Sequence, residues 1–174
     1  MKICQICVIC VPPPKKMKKI IIGSTRAGLT LKKDLITHLE SKGFQVDDVG
    51  MKADGEFIPY HKAAAAVAAG ISEKKYERGI IICGTGAGSV IVAAKFKGVY
   101  PVHVTNTYMA QQAKAVNNCN VLVFGEWLSA SKHACLMLDA WLAAEFTEGV
   151  TDDWKIFLSN CVQEIAEMEN EHFK

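Results

Sequence analysis

The chain predicts an α/β fold, a doubly wound five-stranded parallel sheet of Rossmann-like type with a C-terminal helix. Three observations carry the prediction. Short apolar runs alternate with longer amphipathic stretches along the chain, the pattern of a βαβ succession and a parallel sheet. The clearest runs, Ile20–Ile22 and Ile80–Ile82, are unbroken isoleucine, as expected of strands buried on both faces. Each run ends in small turn residues, Gly23-Ser24 in one case and Gly84-Thr85-Gly86 in the other, before a helical pattern begins.

Taken in order, Ile20–Ile22 is the first strand, and the helix after it carries Leu29, Leu31, Leu35, Ile36 and Leu39 towards the core until Gly43 ends it. Phe44, Val46 and Val49 mark the second strand. Ala63–Ala69 is an alanine-rich helix able to pack closely on a sheet. Gly79–Cys83 is the third strand, and a helix over Val90–Phe96 follows the glycine loop. The runs VYPVHV and NVLVF supply the last two strands, with a short helix at Met109–Val116 between them and another over Ala130–Phe146. Ile156, Phe157, Val162, Ile165 and Met168 fit a final amphipathic helix whose acidic end, Glu164–Glu171, is expected in solvent.

Composition bounds the function. The chain has 174 residues, 50% of them apolar and 22% charged, the profile of one compact domain. A net charge of +2 with interspersed signs leaves no electrostatic footprint for nucleic acid or an anionic membrane, so a small molecule is the expected partner. Seven scattered cysteines favour a reducing, cytoplasmic setting over a disulfide framework. The first sixteen residues differ in character. Cys4, Cys7 and Cys10 have the spacing of a soft-metal site but lack a fourth ligand, and Pro12–Pro14 stand where a leader would need a cleavage site. Residues 1–16 therefore read as a disordered extension, 17–148 as the α/β domain, and 149–174 as a helical tail.

Ligands of such a sheet bind at the carboxyl ends of the strands, beside the topological switch point. Cys83 stands at one of these ends, in IIICGTGAGS. The glycines after it let backbone amides approach an anion at a helix start, where the helix dipole favours thiolate over thiol. A thiolate beside a nest of amides is an acid/base group facing an oxyanion hole, the arrangement for proton abstraction next to a carbonyl. The same residues also suit a small strand-end side chain and a tight turn. The spacing of a nucleotide P-loop is absent.

Several blocks in order, KIIIGSTRAGLTLKKDLITHL, RGIIICGTGAGS, AAKFKGV and NNCNVLVFG, resemble the ribose-5-phosphate isomerase type B and galactose-6-phosphate isomerase family over Met17 to about Glu148. The resemblance implies an aldose–ketose isomerase acting on a pentose or hexose phosphate through a cis-enediolate, without metal or cofactor. It also implies a homodimer or higher oligomer with sites at the subunit interface. Its catalytic cysteine falls on Cys83, with Thr85 beside it and the amides of Gly84, Gly86, Ala87 and Gly88 holding the enediolate oxygen. By the same resemblance Asn106 and Tyr108 line the pocket and Asn117 is retained from the site.

The chain departs from the family at several of these places. Thr25 and Arg26 stand where the family has Asp-His, which leaves Arg26 as the cation for substrate binding. Val116 occupies the place of the ring-opening histidine before Asn117. Tyr100 and Ala94 replace an arginine and an asparagine, and EGVTDDW replaces the block that supplies phosphate ligands. GAGSVIVAAKFKG is similar to one chain of the two-subunit galactose-6-phosphate isomerase, which implies a possible second related subunit. KFKGVY, NNCNV and the Trp154 tail resemble members attached to plant stress-tolerance proteins. The alternative function is accordingly a catalytically impaired, sugar-phosphate-binding or accessory subunit.

Other residues have plainer expectations. His61 begins the alanine-rich helix and reads as solvent-facing; His103 alternates with Val102 and Val104 and reads as a satisfied core or interface histidine. Cys119, Cys135 and Cys161 read as buried packing thiols. Trp127, Trp141 and Trp154 suit core or interface equally.

Overall fold

The computed structural model describes residues 19–173. The N-terminal cysteine triplet and the expected extension lie outside the described residues. The strands are β1 (Lys19–Ser24), β2 (Gln45–Asp48), β3 (Arg78–Cys83), β4 (Pro101–His103) and β5 (Val121–Gly125), and all pair in parallel in the order β2-β1-β3-β5-β4. The helices are α1 (Leu29–Ser41), α2 (Tyr60–Ser72), α3 (Ala87–Ala93), α4 (Thr107–Ala115), α5 (Ser131–Ala143) and α6 (Asp152–His172), with a 3-10 turn at Arg26–Gly28. Among the described residues no helix is long and apolar enough to cross a membrane.

The two-residue period of the strands divides the core. Ile20, Ile22, Ile80, Ile82, Leu122 and Phe124 face α1, α4 and α5. Ile21, Ile81, Val121 and Val123 face α2 and α3. Both faces are covered, which is why these strands carry continuous apolar runs rather than alternating ones. On the second face the alanines of α2 let the helix approach until Val67 sits over two glycines. A Cβ on Gly23 or Gly79 would lie 2.8 Å from a Val67 methyl. On the first face Trp141 is fully buried. Its Nε1 donates to the Cys119 carbonyl at 3.3 Å, and the Arg78 guanidinium stacks 5.1 Å above the ring while donating to the carbonyls of Trp141 and Leu142. That cap satisfies carbonyls at the end of α5 that have no partner within the helix.

Some boundaries differ from the sequence expectation. Helix α3 begins at Ala87, three residues before Val90, and stops at Ala93. It starts early because Gly86 takes a left-handed φ of +85°, which closes the turn within the glycines themselves. Helix α5 ends at Ala143 because Ala144 is extended. Cys119 is buried as expected, and burial pushes its thiol up to about 12. Cys135 and Cys161 are only half-buried.

Helix α6 has 21 residues, of which Leu158 alone is buried. Its acidic end is not wholly in solvent. The Glu169 carboxylate accepts the Gly98 amide at 3.1 and 3.0 Å and the Tyr100 hydroxyl at 3.3 Å, which pins the end of the helix beside β4. Trp154, Phe157, Ile165 and Met168 leave an apolar face exposed, and the first two rings pack edge to face.

Candidate active site

Strand β3 runs up the middle of the sheet between β1 and β5 and delivers Cys83 to the carboxyl edge, level with Gly125. The chain leaves β1 for β2 on one side and returns to β3 on the other, so a crevice opens at this edge between β1 and β3. The crevice is a cleft of about 320 Å³. Thr25 from the end of β1 and Cys83, Gly84, Thr85 and Gly88 form its base. Phe57, Pro59 and Tyr60 stand on one side and Trp127 on the other.

Each wall is held from below. The segment between β2 and α2, which carries Phe57 and Pro59, is anchored by Lys32. Its ammonium is buried, pairs with the Asp48 carboxylate at 2.9 Å and donates to the Met51 carbonyl. The Met51 amide in turn donates to the Ser24 carbonyl at 2.8 Å. Trp127 is tied to the glycine loop through its amide, which donates to the Gly84 carbonyl at 3.1 Å, while the Glu126 amide donates to the Cys83 carbonyl at 2.9 Å.

Three rings press on three loop glycines. A Cβ on Gly84 would fall 2.9 Å from the Trp127 indole, one on Gly88 2.8 Å from the Tyr60 ring, and one on Gly86 2.5 Å from His103 Cδ2. A side chain at any of the three would have to displace a ring, and at Gly86 the left-handed φ disfavours one as well. The Gly86 amide donates to Cys83 Sγ at 3.0 Å, a bond that strengthens when the sulfur is an anion. The first intrahelical bond of α3 runs from the Val90 amide to the Gly86 carbonyl, so the amides of Ala87, Gly88 and Ser89 have no partner within the helix.

Cys83, Thr85, Gly84 and Gly88 are thus brought together on the cleft, with Gly86 and Ala87 in the same loop. Arg26 directly follows the cleft residue Thr25 and is exposed. Three expected site residues lie elsewhere. Asn106 caps α4, its Oδ1 accepting the Met109 amide at 2.8 Å. Tyr108 is 71% exposed. Both follow β4, two strands from β3, a lateral offset of about 10 Å. Asn117 lies between the end of α4 and the start of β5, at the amino edge of the sheet and opposite Cys83. Sequence reading alone does not find Phe57 and Tyr60. Only the aromatic ring just past the end of β5, Trp127, carries a positional signal.

His103 departs from its expectation. The ring projects from β4 on the α2/α3 face, level with Val123, and packs on Gly86. It is not satisfied, because the buried Nε2 has no hydrogen-bond partner among the described residues. Burial holds its pKa below the ordinary 6.5. The unfolded chain therefore takes the proton first, so this contribution to stability is complete above about pH 6.5 and is lost as pH falls from there through the folded pKa. Between about pH 7 and 5 the melting temperature of the wild type should drop more steeply than that of His103→Asn; parallel profiles would remove this role.

With this geometry in view, the relatives are informative. Residues 20–156 match the family model described as Ribose/Galactose Isomerase. The 4-deoxy-4-sulfo-D-erythrose isomerase of Clostridium sp. (strain MSTE9) is 35% identical over 156 residues, covering 90% of this chain and 98% of its own. The D-erythrulose-4-phosphate isomerase of Pectobacterium atrosepticum is 37% identical over 133 residues, covering 76% and 88%. Ribose-5-phosphate isomerase B from Mycoplasma genitalium, solved with bound ribulose-5-phosphate, superposes with a TM-score of 0.79 at 31% identity, over 88% of this chain and 97% of that one. The matched span contains all five strands, save Lys19 at the start of β1, and the cysteine loop at the carboxyl edge of the sheet, and on that ground the chain belongs to the ribose/galactose isomerase family.

Proposed function

We propose that this protein is an aldose–ketose isomerase of a phosphorylated sugar, with Cys83 as the group that carries the proton. The observation that supports it most is Cys83, a residue of the cleft wall whose Sγ accepts the Gly86 amide at 3.0 Å. The thiolate takes the proton from the carbon next to the substrate carbonyl, leaving a cis-enediolate, and returns it to the neighbouring carbon on the same face. The hydroxyl proton passes between the two cis oxygens of the enediolate, from O2 to O1, so the carbonyl and hydroxyl exchange places and no redox partner is consumed. Amides of the loop stabilise the developing oxyanion, and Thr85 borders the same space. The relatives named above are sugar isomerases acting on anionic substrates, in keeping with this chemistry.

The test is deuterium exchange at the carbon beside the carbonyl, in deuterated water, across a panel of sugar phosphates. Cys83→Ser should fold and bind while losing about a hundredfold or more in exchange rate, the usual contribution of general acid–base catalysis. Exchange at the wild-type rate would dismiss the mechanism. Absence of exchange with every sugar phosphate, alongside measurable binding, would leave the accessory-subunit reading standing.

Arg26 is proposed to meet the anionic group of the substrate, since it is exposed beside Thr25 at the cleft edge and a guanidinium can grip such a group bidentately. Arg26→Ala should weaken binding of a sugar phosphate and leave the unphosphorylated sugar nearly unaffected. Equal losses for both would remove the role.

The working unit is proposed to be a dimer or larger assembly. Asn117 at the amino edge can reach a carboxyl-edge cleft only in another copy, and α6 exposes Trp154, Phe157, Ile165 and Met168, a face whose burial would support such an association. Phe157→Glu should shift sedimentation towards the monomer with loss of exchange activity. A monomeric wild type with full activity would exclude this arrangement.

A further inference from the structure

We infer that the substrate of this site is an aldose that cannot close a ring, a short open chain whose C4 oxygen is blocked by its anionic group, rather than a sugar phosphate that arrives as a cyclic hemiacetal. The inference rests on the isomerase reading and narrows it. A cyclic aldose must be opened before its carbonyl exists. Opening removes a proton from the anomeric hydroxyl and delivers one to the ring oxygen, which calls for a side chain that gives and takes protons near neutral pH.

Among the described residues the cleft holds no such group apart from the thiol already proposed for the carbon-bound proton. The polar side chains among its lining residues are Cys83, Thr25, Thr85, Tyr60 and Trp127, whose indole N–H only donates; Phe57 and Pro59 are apolar. Among the described residues no aspartate, glutamate, histidine or lysine lines it. The two nearby imidazoles stand outside the wall. His103 packs on Gly86, and His61 meets Tyr60 edge to face at 5.6 Å. A second copy does not repair the deficit through its amino-edge segment, because Val116, Asn117 and Asn118 include no proton carrier.

An open-chain substrate makes that equipment unnecessary. A four-carbon aldose phosphorylated at O4 has no free hydroxyl placed to form a five-membered ring, so its carbonyl is available on arrival. A cleft of about 320 Å³ is near the lower end of the range for small-molecule sites, about 300–1,000 Å³, which suits so short a chain.

The experiment compares D-erythrose 4-phosphate with D-ribose 5-phosphate, following product formation and deuterium incorporation as the full-length protein is varied in concentration. With tenfold more protein the tetrose rate should rise about tenfold, whereas the ribose 5-phosphate rate should level off at the spontaneous ring-opening rate measured without protein, changing by less than about twofold. A ribose 5-phosphate rate that stays proportional to protein and exceeds spontaneous opening would overturn this inference while leaving the isomerase reading intact. Failure of both sugars to exchange would overturn that reading and this inference with it.

Discussion

The bond from the Gly86 amide to Cys83 Sγ is the constraint around which the site is organised. It is made with Gly86 at φ +85°, a conformation that a residue with a Cβ takes up at a cost. A side chain there would also strike the His103 ring. The turn thereby folds the chain back on the sulfur within three residues and starts α3 at once. Sulfur, amides and helix start are consequently tied into one short loop, the positioning that the proposed proton-transfer role of Cys83 calls for.

The remainder of the molecule supports that loop from several directions. The sheet places β3 between β1 and β5, so the Cys83 carbonyl is anchored by the Glu126 amide and the Gly84 carbonyl by the Trp127 amide. Helix α2 approaches closely enough, through Val67 over Gly23 and Gly79, to bring Tyr60 onto Gly88. Lys32 is buried at a cost that Asp48 and the Met51 carbonyl offset, and it holds the start of the segment leading to Phe57. Apolar packing builds the platform; a few polar contacts across strand ends determine where the cleft walls stand.

Helix α6 follows a different physical logic. Helices of this length draw most of their stability from packing of an apolar face, yet only Leu158 is buried and Glu169 supplies the polar tether to β4. The described chain therefore leaves α6 without the apolar contacts its composition is suited to make, and Asn117 on the edge opposite Cys83. Both features are what the proposed assembly of copies would use.

The sequence by itself determined the strands, their parallel arrangement and the identity of the thiol. Periodicity and continuous apolar runs are local consequences of burial on one or two faces, and the Cys-Gly-Thr-Gly turn after Ile80–Ile82 is legible wherever a strand meets a helix. The tertiary structure decided what no local pattern encodes. It placed Phe57, Tyr60 and Trp127, distant in the chain, around one cleft, because loop anchors such as Lys32 and Met51 act between segments brought together only by the sheet. It made Asn106 a helix cap, and it set His103 against Gly86 with Nε2 unpartnered, since a histidine alternating with valines fits a satisfied or an orphaned core position equally well. The loop glycines were legible as a turn, but their full reason, three rings closing on three missing side chains, appears only once strands and helices have packed.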